Sequence, residues 1–371
     1  MTGAATAATT AATNVAANVA ATAATTAATN VAANVAANVA ATAATNVAAN
    51  VAANVAANVA VLCGGVGGSR FLRSLSLVLP AERITAIINT GDDEWFHGLY
   101  VSPDPDIVTY ALADEVDAER GWGLRGDTFA WLESLRRFGR ETWFQIGDRD
   151  LATHLHRTRL LREGRTLSEA MADIATAFGV DMRLLPMSDE RVRTVIETDA
   201  GDLPFQRYLV ERHASDAVRA VRFEGAAEAR PAPGVLDAIR EAEAIFIAPS
   251  NPAGSIAPVL AVPGIRDAIA SASAPRVAVS PIVGGRALQP PAAEMMAGLG
   301  YAVGVTGVAR FYAGLIDALI IDHADAHLAP EVEAAGVRPG VRPVVAPTIL
   351  MRDEPSMRAL AGAALAAAGV A

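Results

Sequence analysis

The stretch Val59-Ala60-Val61-Leu62-Cys63-Gly64-Gly65-Val66-Gly67-Gly68-Ser69-Arg70 decides the fold. Five apolar residues run straight into four glycines within five positions. An amphipathic segment, Arg70 to Leu79, follows. This reads as strand, glycine turn and helix, the opening of a doubly wound sheet. The glycines let backbone N–H groups approach an anion or a flat ring. Gly65 and Gly67 match the start of a dinucleotide fingerprint, but Arg70 stands at its third glycine position.

Downstream, apolar runs recur and end in turn residues. Ile84 to Ile88 stops at Asn89-Thr90-Gly91-Asp92-Asp93, and Ala244 to Ile247 at Pro249-Ser250-Asn251-Pro252. Val277 to Val279 stops at Ser280-Pro281, Ala318 to Ile321 at Asp322-His323, and Val344-Val345 closes the series. Helix-like stretches lie between them, including Leu167 to Phe178 and Pro233 to Glu243. The expected class is α/β: a doubly wound, mostly parallel, Rossmann-like sheet. Val192 to Thr198 and Ala217 to Phe223 alternate on a shorter period, so a smaller inserted α+β lobe is expected near 160–230. In such sheets ligands sit beyond the carboxyl ends of the strands, where the glycine, aspartate and Ser-Asn-Pro clusters all fall.

Upstream, residues 1–58 consist of Ala-Ala-Thr and Asn-Val-Ala-Ala units. They contain nothing larger than valine beyond the initiating methionine, and no charge. They are read as a low-complexity segment outside the folded domain of 59–371, either disordered or the product of an upstream start. All 30 basic and 40 acidic residues lie from Arg70 onward, giving a net charge of −10. That balance argues against a nucleic-acid surface, and no apolar run of about 18 residues resembles a membrane span. Every basic residue is arginine, which excludes Schiff-base lysine chemistry and a Walker-type phosphate lysine. Cys63 is the single cysteine, so disulfide frameworks and Cys-rich zinc sites are excluded. The cytoplasm is the expected compartment.

The acidic residues carry the sharpest chemical signal. Asp92 and Asp93 follow a strand, and Asp104 and Asp106 come soon after in Ser102-Pro103-Asp104-Pro105-Asp106. Carboxylates at such turns suit Mg²⁺, held by few protein ligands and by substrate phosphates; solvated turns and helix caps are the bland reading. Gly147-Asp148-Arg149-Asp150, with His154, His156 and Arg157, gathers acid, base and imidazole at a helix start. Arg149 could fork onto a phosphate or carboxylate, or join a structural Arg–Asp network. His154 and His156 diverge on a helix and cannot share a metal. Ser250 and Asn251 suit a nucleobase or phosphate contact, or a plain Asx turn.

In order along the chain, these motifs resemble the 2-phospho-L-lactate transferase family of coenzyme F420 biosynthesis, including its phosphoenolpyruvate-using actinobacterial branch. Gly126-Asp127-Thr128-Phe129, Leu185-Pro186-Met187-Ser188-Asp189 and Ser280-Pro281-Ile282-Val283-Gly284 extend the resemblance. Pro105 departs from it, standing where the family more often has an aliphatic residue. The resemblance implies a Mg²⁺-dependent transferase acting on the deazaflavin Fo. Its donor would be a guanosine diphosphate ester of lactate or enolpyruvate supplied by a guanylyltransferase, and GMP would leave. It implies Asp92, Asp106 and Arg149 as catalytic residues, with Mg²⁺ on Asp92 and Asp106. Gly65, Gly67, Gly68, Ser69, Arg70, Asp104, Asp148, Ser250 and Asn251 would bind substrate. A homodimer is the expected assembly. The competing readings are a non-catalytic nucleotide-sugar-binding protein of the same fold and, more remotely, an NAD-dependent oxidoreductase.

Overall fold

The computed structural model describes residues 57–288, 291–335 and 340–370. The repeat of residues 1–58 therefore lies outside the described residues except for Ala57 and Asn58.

Seven parallel strands form the central sheet. In chain order they are β1 (Val59–Cys63), β2 (Ile84–Ile88), β3 (Arg183–Pro186), β4 (Ala244–Ile247), β5 (Arg276–Val279), β6 (Ala318–Asp322) and β7 (Arg342–Ala346). Across the sheet they run β7-β6-β5-β4-β1-β2-β3. The order reverses between β1 and β4, whose registers pair Leu62 with Ile247 while β1 also pairs Cys63 with Ile88 of β2. Strands β1, β4 and β6 are buried along their whole length, as helices on both faces require. Each expected strand forms. The edge strand β3 was not among them: its short Leu184-Leu185-Pro186 core ends in a residue that usually breaks strands.

The first helix spans Gly65–Ser76, starting five residues before the expected Arg70. Its glycines are a packing requirement. A Cβ on Gly67 would sit 2.2 Å from the Pro249 carbonyl oxygen, and one on Gly68 would sit 2.9 Å from the Ser250 hydroxyl. Only a bare backbone lets the helix lie this close to the end of β4.

Between β2 and β3 come a hairpin (Glu94–Phe96 with Leu99–Val101) and helices Pro103–Leu112, Ala130–Arg136, Asp150–Arg162 and Leu167–Ala177. Between β3 and β4 the chain inserts a three-stranded antiparallel sheet, with Arg193–Thr198 flanked by Gly201–Pro204 and Val218–Glu224. This insertion has its own small core, Ile196, Phe205 and Tyr208, which packs on Ala253 and Met295 of the parent fold. Among the described residues no single helix is long and apolar enough to cross a membrane.

Candidate active site

At the β1–β4 reversal the strand ends spread and leave a cavity of about 750 Å³. The crossing is pinned by one side chain. Ser250 Oγ donates to the Gly64 carbonyl at 2.8 Å and accepts from the Gly64 amide at 3.1 Å. Asn251 folds into an Asx turn, its Oδ1 accepting from the amides of Ala253 and Gly254. Both residues line the cavity, but their side-chain oxygens are used to shape its wall.

The opposite wall is acidic. Asn89, the first residue after β2, donates from Nδ2 to Asp92 at 3.0 Å and to Asp104 at 2.9 Å. Gln206, from the inserted sheet's end, reaches the other Asp92 oxygen at 2.6 Å. Burial pushes the Asp92 carboxyl well above its ordinary range, with Asp104 and Asp93 adding repulsion against the Gln206 hydrogen bond. Asp104 is pushed up to about 6 by burial, against hydrogen bonds from Asn89 and the Gly65 amide. Asp93 is raised likewise by burial, although Ser102 Oγ donates to it at 2.5 Å.

Asp104 and Asp106 share the first turn of Pro103–Leu112. Both prolines of the motif fall in that turn, where backbone N–H groups have no intrahelical acceptor, so Pro105 is accommodated without loss. Asp106 nevertheless sits in a different environment from Asp104. Both of its oxygens are taken by the Arg157 guanidinium, one at 3.1 Å. His154 lies between two acids, Nδ1 3.5 Å from Asp106 Oδ2 and Nε2 3.3 Å from Asp150 Oδ1. The Tyr110 hydroxyl donates to the same Asp150 oxygen at 2.6 Å. Burial alone would raise Asp150, but His154, Tyr110 and Arg157 hold its carboxyl below the ordinary range.

The cavity brings together Gly65, Gly67, Arg70, Asp92, Asp104, Asp106, Ser250 and Asn251 from the residues expected to form the site. Four others are not on its wall. Gly68 packs on Cys63 and Ser250. The Ser69 hydroxyl turns back to the Val66 carbonyl. Asp148 caps the helix Ala130–Arg136 through the amides of Ala130 and Trp131. Arg149 is solvent-exposed, bound to Glu115 and the Arg125 carbonyl. Asp127 makes the reciprocal cap, accepting from the amides of Arg149 and Asp150 at the start of Asp150–Arg162. The Gly-Asp-Arg-Asp stretch is thus largely a helix-capping device, of which only Asp150 reaches the cavity. His154 and His156 diverge as expected, the latter pairing outside with Asp173. Asn89, Tyr110 and Gln206 join the site without having been expected there.

Asp92 and Asp104 are close, buried and served only by neutral donors, so their oxygens fit a hard divalent cation completed by substrate phosphates. Asp106 is already neutralised by Arg157. Among the described residues no three acidic, imidazole or thiol groups converge on one point as a closed metal cage would require. Cys63 is no nucleophile here, since burial, with Asp104 beside it, raises its thiol far above the ordinary range.

The family profile described as 2-phospho-L-lactate transferase CofD matches residues 59–341. Phosphoenolpyruvate transferase of Streptomyces griseus is 44% identical over 311 residues, spanning 82% of this chain and 96% of the relative. 2-Phospho-L-lactate transferase of Methanosarcina mazei is 37% identical over 265 residues, spanning 71% and 87%. A solved structure of a UPF0052-family protein from Bacillus halodurans aligns with a TM-score of 0.53 at 20% identity, covering 83% of this chain and 99% of that one, a likeness of fold. With its reversed strand order and acidic cavity, the chain belongs to the 2-phospho-L-lactate transferase family.

Proposed function

We propose that this chain transfers a phospholactyl or phosphoenolpyruvyl group from a guanosine diphosphate ester to the terminal ribityl hydroxyl of Fo, releasing GMP. The observation that carries the reading is the placement of Asp92, Asp104 and Asp106 around one cavity, beside the N-terminus of the glycine-led helix. The names of the Streptomyces and Methanosarcina relatives supply the two candidate transferred groups.

The hydroxyl oxygen attacks the phosphorus bearing the organic acid, the bond to the GMP phosphate breaks with its electron pair, and the hydroxyl proton leaves by way of Asp106 to solvent. Such a displacement asks for in-line positioning and for countercharge. Asp106, held in one orientation by Arg157, accepts a hydrogen bond from the attacking hydroxyl and aims it. The Val66 and Gly67 amides, in the first turn of Gly65–Ser76, have no intrahelical acceptor and serve the phosphate oxygens, with Arg70 on the same helix. Asp92 and Asp104 would hold Mg²⁺, whose chemistry here is to draw negative charge from the diphosphate. The Ser250–Asn251 loop contributes shape.

The test is to incubate the full chain with Fo, Mg²⁺ and donor generated in situ from GTP, a guanylyltransferase and either phosphoenolpyruvate or 2-phospho-L-lactate. A Mg²⁺-dependent mass shift of Fo with release of GMP supports the reading, and relative rates identify the acid. Unchanged Fo from a folded protein that binds nucleotide overturns it in favour of a binding protein.

A further inference from the structure

The charged lining of the cavity is lopsided. Asp92, Asp104, Asp106 and Asp150 face it, and among the described residues its only arginines are Arg70 and Arg352. The donor proposed above is a polyanion, and Arg157 is already committed to Asp106. Arg352 comes from the segment joining β7 to the last helix, Glu354–Ala368, beyond residue 341 where the family match stops.

That segment is held firmly. Ile349 and Met351 are buried. The Ile349 amide donates to Asp322 at 2.9 Å, the Leu350 amide to Thr348 Oγ1 at 3.0 Å and the Arg352 amide to Ser356 Oγ at 3.2 Å. Ser356 also closes a capping box with Asp353. Nearby Arg358 is tied to Glu354 and the Leu77 carbonyl. The Arg352 guanidinium makes no hydrogen bond or ion pair among the described residues. A planar fork on a fixed backbone, beside a cavity lined by four aspartates, matches paired anionic oxygens.

We propose that Arg352 is an anion-binding residue of the donor site, taking phosphate or carboxylate oxygens of the donor on the side of the cavity formed by the C-terminal segment. This rests on the reading of the donor as a guanosine diphosphate ester. The same full-length chain tests it as wild type, Arg352→Gln and Arg352→Lys, by GDP calorimetry and by steady-state kinetics.

Losing a charged hydrogen-bonding partner is expected to raise the donor KM of Arg352→Gln about tenfold or more. The KM for Fo stays near wild type, and Arg352→Lys recovers part of the loss. GDP affinity falling in parallel assigns the contact to the diphosphate. GDP affinity unchanged beside a raised donor KM assigns it to the carboxylate of the transferred acid. Wild-type values for both in Arg352→Gln overturn the proposal, as does a change confined to Fo. If the wild type turns over no ester, the parent reading fails and GDP calorimetry decides alone. A matching loss of affinity in Arg352→Gln then supports the anion contact, whereas equal affinity, or no GDP binding by either protein, overturns it.

Discussion

Asp106 and Arg157 lie 51 residues apart in the chain and meet as a two-pronged ion pair, both side chains almost wholly removed from solvent. The pair joins the first turn of Pro103–Leu112 to the middle of Asp150–Arg162. It therefore fixes a helix–helix geometry and a cavity-facing carboxylate at once.

Breaking one side of such a pair leaves a buried charge uncompensated. Arg157→Met is expected to lower unfolding stability by about 3–5 kcal/mol. The double variant Asp106→Leu with Arg157→Met should recover much of that loss, since neither charge then remains. Urea unfolding of the two proteins checks this, and equal stability of single and double variants would contradict it.

Asp106→Asn keeps the shape of the side chain but removes the charge that Arg157 orients. Turnover of Fo is expected to fall by about a hundredfold or more, within the usual range for a group that aids proton transfer. Near-wild-type turnover would remove Asp106 from the mechanism.

The raised carboxyl of Asp104 sets a pH window. Its folded value, about 6, lies above the ordinary 3.8, so folding disfavours the ionised form. No penalty exists below the lower value; it grows as pH rises through the window and is complete above about 6. Asp104→Asn should therefore gain stability relative to wild type between those limits and level off beyond them. Thermal melts across pH give the difference curve, and a flat one would refute the assignment.

A divalent cation held by Asp92 and Asp104, as proposed above, would offset the cost of keeping these buried carboxylates ionised. Mg²⁺ at about a hundred times its dissociation constant is expected to stabilise the protein by about 2.7 kcal/mol. The effect should be larger at about pH 8 than at pH 5, where protons compete. Asp92→Asn should abolish it, and an equal Mg²⁺ shift in that variant would place the cation elsewhere.

Gly67→Ala tests the packing role of the glycine run. The added methyl group meets the Pro249 carbonyl at 2.2 Å, so the helix must shift. A loss of about 1–3 kcal/mol is expected in denaturant unfolding.

The sheet was legible because buried parallel strands read as apolar runs closed by turn residues, and the acidic cluster because its motif sits at one such closure. Arg149 and Arg157 show where reading by motif fell short. Arg149 has the more suggestive neighbours, yet it precedes the helix. Asp150, His154 and Arg157 follow the i, i+4, i+7 spacing of a single helical face, and that face meets Asp106. This periodicity was present in the sequence and outranked the motif. Gln206 offered no comparable signal, because only the folding of the inserted sheet brings it to Asp92.

That last contact has a bearing on the order of assembly. Asp92 and Gln206 are 114 residues apart, and Gly64 and Ser250 are 186 apart. Closing chain loops of that length delays contact formation. The cavity is thus completed together with the β1–β4 pairing, whose Leu62 and Ile247 are 185 residues apart, so the site and the middle of the sheet form as one late event. Denaturant should silence the site and part the β1–β4 strands in one transition.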